Sequence, residues 1–142
     1  MSNISHTLTI YSDTKSLTEV DLFLKTVLKE FGLTENIYNR LYLCVSEAVV
    51  NAITHGNQSD KTKVVTILTK IEKEYAVVRI SDEGQGFDSS ILLDPTCTEN
   101  IKKENGRGLF IIKNFSDEVN FKEKGNIIEF KLKLSGENTI SR

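Results

Sequence analysis

The sequence predicts an α/β two-layer sandwich: a mostly antiparallel sheet covered on one face by helices. Three observations predict it. Two early segments carry apolar residues at helical spacing, and each opens on a capping residue and closes on a stop signal. Four later segments are rich in β-branched and aromatic residues and fall into two hairpin-like pairs. The last of these alternates strictly, with Ile128, Phe130, Leu132 and Leu134 on one face and Glu129, Lys131 and Lys133 on the other. That is the pattern of a sheet with one buried and one wet face.

Each element has its own signal. His6-Thr7-Leu8-Thr9-Ile10-Tyr11 alternates and reads as a first strand. Ser16-Leu17-Thr18-Glu19 fits a capping box, and behind it Val20, Phe23, Leu24, Val27, Leu28 and Phe31 form a helical stripe that ends at Gly32. Thr34 caps a longer helix whose buried stripe is Ile37, Leu41, Val45, Ala48 and Ala52, closed by Gly56-Asn57. Residues 64–71 and 75–81 are expected to pair as antiparallel strands across the short polar link Glu72-Lys73-Glu74. Residues 82–105 lack periodicity and hold the only proline, Pro95; loops of that length in a compact domain tend to be functional. A short apolar helix is expected over residues 108–115, after Gly106 and Gly108. Residues 117–123 and 127–134 then form a final hairpin turned at Lys124-Gly125-Asn126. The chain reads as one domain over 1–142, with an ordered core over about 5–134 and a polar tail from Ser135.

Composition narrows the function classes. With 18 Lys+Arg against 20 Asp+Glu the net charge is −2, and no basic excess marks a nucleic-acid binder. Cys44 and Cys97 stand apart, with no C-x-x-C pair for zinc and no disulfide framework. Cys44 falls in the helical core pattern and Cys97 in the aperiodic loop. The first ten residues are polar, without the apolar stretch of a secretory signal. No apolar run approaches the ~18 residues of a membrane span. The expectation is a cytoplasmic protein with no membrane and no nucleic-acid partner.

Three clusters can carry chemistry. On the second helix, Glu47, Asn51 and His55 recur every four residues and line the edge of the apolar stripe. They are either a solvated edge or a carboxylate and an amide oxygen aimed into a cleft, suited to base catalysis and to Mg²⁺. After a strand comes Asp82-Glu83-Gly84-Gln85-Gly86-Phe87. The strand's alternation puts Asp82 on the core face with Ala76, Val78 and Ile80. A carboxylate there needs a partner, and a purine exocyclic amine is one. A plain strand-ending turn is the alternative, and the missing third glycine, with Ser89 in its place, sets the segment apart from the dinucleotide fingerprint. The third cluster is Asn105-Gly106-Arg107-Gly108-Leu109, in which glycines open a helix. Free N–H groups at a helix start suit phosphates, while an ordinary loop-to-helix turn would look the same.

The three clusters in this order resemble the ATP-binding superfamily that contains gyrase, Hsp90, histidine kinases and MutL. Within it the chain is most similar to the anti-sigma-factor serine/threonine kinases of bacterial partner-switching systems. The residues that carry the resemblance are Ser46-Glu47-Ala48-Val49-Val50-Asn51-Ala52 with His55-Gly56-Asn57, Asp82 to Asp88, and Gly106-Arg107-Gly108-Leu109 followed by Asn114 to Val119. The resemblance implies a Bergerat-type ATP-binding fold and the cofactors ATP and Mg²⁺. Glu47 becomes the base that activates the attacking hydroxyl, Asn51 the Mg²⁺ ligand and Asp82 the acceptor for the adenine amine. Gly84 and Gly86 would flank the base. Gly106 and Gly108, with Arg107 and Leu109, would let a lid over residues 88–105 close on the phosphates. The family's lid is matched by Asp94-Pro95, but Ser89 stands where many members have proline. Lys102 and Lys103 read as solvated charges, His55 as a helix-end dipole partner.

The implied partners are an anti-anti-sigma protein as phosphoacceptor, a sigma factor, and a second copy in a homodimer. The expected activity is that of an ATP-dependent serine/threonine kinase that also sequesters a sigma factor. Two competing readings are a binding module in which ATP only shapes the surface, and an ATPase without a protein acceptor. An intact Glu47 argues against the first. The early end of the chain after Leu134 argues against a clamp ATPase, which requires a following domain.

Overall fold

Alternating segments become strands: β1 (Ser5–Tyr11), β2 (Val64–Glu72), β3 (Tyr75–Ser81), β4 (Glu118–Lys122) and β5 (Ile127–Lys133). In the computed structural model, which describes residues 5–84, 106–122 and 126–134 and only the backbone of 106–109, they form one sheet ordered β1-β2-β3-β5-β4. Every neighbouring pair is antiparallel. Helices α1 (Leu17–Phe31), α2 (Glu35–Asn51) and α3 (Gly106–Phe115) supply the second layer.

One core joins the layers. Ile10, Val65, Ile67, Val78, Ile80, Phe130 and Leu132 from the sheet pack with Val20, Leu24 and Val27 of α1, Leu41, Val45, Ala48 and Val49 of α2, and Ile112 of α3. The stripe expected on α2 is buried, while on α1 Val20, Leu24 and Val27 are buried and Phe23, Leu28 and Phe31 only partly so; on α2 Cys44 and Val49 widen the stripe because that helix is covered on more than one side.

Helix ends follow local chemistry, with three departures from the sequence reading. Thr34 caps α2 by accepting from the Ile37 N–H at 3.2 Å, and Gly32 closes α1 at φ 64°, its N–H reaching Leu28 and Lys29 carbonyls. Ser16, however, makes no side-chain cap. A 3₁₀ turn over Thr14–Ser16 runs straight into α1, so the chain turns helical earlier and Asp13 takes the cap, accepting from the Lys15 N–H at 3.0 Å. The second helix does not continue as α-helix to Gly56. Its last turn, Ala52–Gly56, is π-helical, closed by Asn57 N–H on the Ala52 carbonyl at 2.8 Å. Finally, α3 starts at Gly106 rather than Gly108, so both glycines lie in its first turn.

The outer face of the sheet is not uniformly wet. Glu129 is nearly buried there: Arg79, its direct cross-strand partner, donates from Nη2 at 3.0 Å, and Lys122 Nζ lies at 3.2 Å. A long cation on each side shields the carboxylate, which alternation alone assigns to solvent. The expected turn at Lys124-Gly125 and the tail from Ser135 lie outside the described residues.

Candidate functional site

The registers bring four chain segments to one end of the sheet. Tyr11 stands opposite Val64, Thr66 opposite Ser81, and Ser81 opposite Ile127. The last residues of β1 and β3 and the first of β2 and β5 therefore share that end, and the π turn after α2 comes down on it.

Asp82 follows β3 there and is half-buried. Its main chain is held by Asn126, whose carbonyl accepts from the Asp82 N–H at 2.9 Å and whose Nδ2 donates to the Asp82 carbonyl at 3.4 Å. Its carboxylate Oδ1 accepts from the Gly84 N–H at 2.8 Å. Two glycines wall it in. A Cβ on Gly56 would fall on the Asp82 carboxylate, and one on Gly84 would fall on the Gly56 carbonyl. Burial pushes the Asp82 carboxyl above its ordinary range, only partly offset by the Gly84 hydrogen bond and the Lys63 charge. Such a carboxylate gains from a ligand that donates to it.

Asn57 ties this corner together. It is 1% exposed. Its Nδ2 donates to Ser12 Oγ at 2.6 Å and to the Val64 carbonyl at 3.0 Å, and its Oδ1 accepts from the Glu83 N–H at 2.7 Å. Glu83 returns the tie, its Oε1 accepting from the Val64 N–H at 2.8 Å.

Asn51 ends α2, one π turn before Gly56, and Glu47 lies one turn earlier; both are partly buried. The Nδ2 of Asn51 is buried with no partner among the described residues. An amide in that state has hydrogen-bonding or ligating capacity left for something else, and turning it over presents its oxygen instead. His55 falls inside the π turn, whose wider spacing moves it off the line that Glu47 and Asn51 share.

Helix α3 packs along α2. Arg40, in the first half of α2, donates from Nε to the Phe115 carbonyl at 3.1 Å and pairs with Asp117 at 3.6 Å. That pins the end of α3 near the start of α2. The N-terminus of α3, with Gly106, Arg107, Gly108 and Leu109, thus runs back toward the half of α2 that carries Glu47 and Asn51. Gly86, Cys97, Lys102, Lys103 and the expected lid over residues 88–105 lie outside the described residues.

These groups fit a purine nucleotide with Mg²⁺. The glycine-walled carboxylate offers the acceptor an adenine amine needs, and Asn51 carries an unsatisfied amide. Among the described residues no group of three or more His, Cys, Asp or Glu could hold a metal. Mg²⁺ takes few protein ligands beside substrate phosphates and retained waters, so one oxygen ligand from Asn51 would be compatible with it.

A family model for the histidine kinase-like ATPase domain matches residues 10–132. The chain belongs to the histidine kinase-like ATPase family. Curated relatives of this ATPase domain include the anti-sigma F factor of Anoxybacillus flavithermus, 40% identical over 84 residues that cover 58% of each chain. The anti-sigma F factor of Lysinibacillus sphaericus is 35% identical over 95 residues, 63% of this chain and 65% of that one. A serine-protein kinase RsbW of Staphylococcus aureus is 32% identical over 114 residues, 75% of this chain and 72% of that one. The ATPase domain thus spans less than two thirds of the length of the two anti-sigma F factors. No helix among its described residues is long and apolar enough to cross a membrane.

The sequence named Glu47, Asn51, Asp82 and Gly84, and the structure sets them around the end of α2 and β3. It did not name Gly56, Asn57, Ser12 or Asn126 as site residues. Gly56-Asn57 has a sequence signal, being a helix stop that also carries the resemblance. Ser12 and Asn126 have none, because their roles come from long-range hydrogen bonds.

Proposed function

We propose that this protein is an ATP-dependent serine/threonine kinase and anti-sigma factor of a bacterial partner-switching system. It phosphorylates a Ser or Thr of an anti-anti-sigma protein and sequesters a sigma factor. The observation that carries the nucleotide part is the Asp82 carboxylate, raised in pKa by burial and walled by Gly56 and Gly84. Similarity to relatives named anti-sigma F factor and serine-protein kinase supports the kinase and sigma-factor parts.

Bound Mg·ATP supplies the transferable phosphoryl group and the countercharge that its transfer needs. In this reading Asp82 accepts the adenine amine, and Gly84 and Gly86 let the base approach. Asn51 would hold Mg²⁺ through its amide oxygen. The first N–H groups of α3, at Gly106 to Leu109, would take the phosphates, and Arg107 would add positive charge. Glu47 takes the proton from the acceptor hydroxyl. The protein works in the cytoplasm, as a homodimer. Edge strand β1 supports the dimer, since among the described residues it pairs only with β2 and such an edge calls for cover.

Transfer of label from γ-labelled ATP to the anti-anti-sigma protein, run beside a binding titration, tests the roles. Glu47→Gln should keep Mg·ATP binding and lower transfer by ~10²–10⁴, whereas Asn51→Ala should lower both. Full transfer by Glu47→Gln would leave the binding-module reading. Phosphate release without transfer would leave the acceptor-free ATPase. Light scattering at micromolar concentration that gives only monomer mass would refute the dimer.

A further inference from the structure

Asp82 does not hold its own place. Three elements meet behind it, and the residue they share is Asn57, which lies 25 positions earlier and has no part in the chemistry above. The Asn57 side chain uses both ends of its amide. The oxygen takes the N–H of Glu83, the residue after Asp82, at 2.7 Å. The nitrogen is anchored on Ser12 Oγ at 2.6 Å and the Val64 carbonyl at 3.0 Å. Ser12 is fixed in turn, donating from both N and Oγ to the Lys63 carbonyl, at 3.0 and 2.8 Å. The ends of β1 and β2 therefore act as a rigid mount, and Asn57 passes that mount on to the backbone beside Asp82.

The π turn makes this possible. It closes through the Asn57 N–H on the Ala52 carbonyl, and it lays the bare Gly56 backbone against the Asp82 carboxylate and Gly84. Asn57 pulls the Asp82–Gly84 segment against this wall, and the wall has no room for a Cβ. The Asp82 carboxylate is thus hemmed in by Gly56 and Gly84.

We propose that Asn57 is a positioning residue for purine recognition: by clamping Glu83 to the ends of β1 and β2, it aims the Asp82 carboxylate from the Gly56–Gly84 wall and thereby sets the preference for ATP over GTP. This rests on the reading that Asp82 accepts the purine amine. GTP presents a carbonyl where ATP presents that amine, so a carboxylate held in one orientation rejects GTP. A carboxylate free to swing aside tolerates it.

The test is the ratio of GTP to ATP dissociation constants, measured by calorimetry well below each variant's unfolding temperature. The variants are Asn57→Ala, Ser12→Ala and Asp82→Asn. Asn57→Ala should lower the ratio roughly tenfold, by weakening ATP and easing the rejection of GTP. Ser12→Ala, which loosens only the mount, should lower it in the same direction by roughly threefold, and it decides the matter if Asn57→Ala does not fold. Asp82→Asn is the control on the underlying reading and should collapse the ratio. If it does, but Asn57→Ala and Ser12→Ala weaken ATP and GTP equally, Asn57 is merely structural and the proposal fails alone. If Asp82→Asn leaves the ratio unchanged, amine recognition fails and the proposal falls with it.

Discussion

Replacing Asp82 by asparagine separates what this residue does for the fold from what it does for the ligand. Its Oδ1 accepts from the Gly84 N–H at 2.8 Å, and an asparagine oxygen keeps that bond. The other carboxylate oxygen becomes an NH₂ group, so a donor faces the donor amine of adenine. Losing a hydrogen bond to a charged group is worth about 1.5–3 kcal/mol, or roughly 10–150-fold in ATP affinity. Stability should move the opposite way. Burial holds the Asp82 carboxyl above its ordinary value of 3.8. A group raised in the folded state favours folding below its unfolded value, and that contribution is lost as pH rises through the folded one. Above that folded value the nucleotide-free protein carries a half-buried charge whose desolvation asparagine removes. Asp82→Asn should raise the apo melting temperature at pH 7, and the gain should shrink toward acid pH. Calorimetric titration with Mg·ATP and thermal melts across pH check both arms. Unchanged ATP affinity would refute the amine acceptor, and a lower apo melting temperature at pH 7 would refute the desolvation argument.

Two further outcomes concern the scaffold. Glu129 is desolvated, which alone would raise its carboxyl, but the hydrogen bonds and charges of Lys122 and Arg79 outweigh burial and hold it below its ordinary 4.5. Its stabilisation is therefore full above that value and lost as pH falls through the lowered one, so Glu129→Gln should cost about 1–3 kcal/mol near neutral pH in denaturant titrations and converge with the parent in acid. Gly32 sits at φ 64° with open space around it; Gly32→Ala should cost about 1 kcal/mol from the left-handed backbone alone, and an unchanged denaturation midpoint would show that the α1 terminus relaxes.

What could be read from the sequence divides along the range of the interactions. Strand and helix identity followed from period, and the stripe on α2 and the centre of the one on α1 (Val20, Leu24, Val27) are buried as spaced, because amphipathic patterning is a local signal that burial enforces. Caps were legible where one side chain serves one helix end, as at Thr34 and Gly32. The Ser16 cap was not, because the competition between Ser16 and Asp13 is settled by a 3₁₀ turn whose propensity hardly differs from the helix beside it. Glu129 escaped for a related reason: alternation assigns a face, but cross-strand partners decide whether that face is wet. In the candidate site, the places of Glu47 and Asn51 on α2 and of Asp82 after β3 could be read from their pattern. Asn57 could only be read as a helix end, since its partners are 45 residues away at Ser12 and 26 away at Glu83.

The π turn explains why those partners meet. An α-helix carried on from Asn51 would leave its end out of step with the end of β3, and one i→i+5 closure at Asn57 shifts the following residues by a fraction of a turn. That shift faces Gly56 toward Asp82 and turns the Asn57 side chain under the strands. The same helix then presents Glu47 and Asn51 before the π turn and the wall of the base site within it. In the proposed reading, one continuous segment, residues 47–57, would set the separation between the phosphate end and the base end of the nucleotide. The sheet contributes by fixing where that segment stops: Ser12, Val64, Asp82 and Asn126 all lie at the sheet end on which it lands. A change at any of these four acts on the base end first, because Glu47 and Asn51 are held by the packing of α2 against α3 and the core, which these residues do not share.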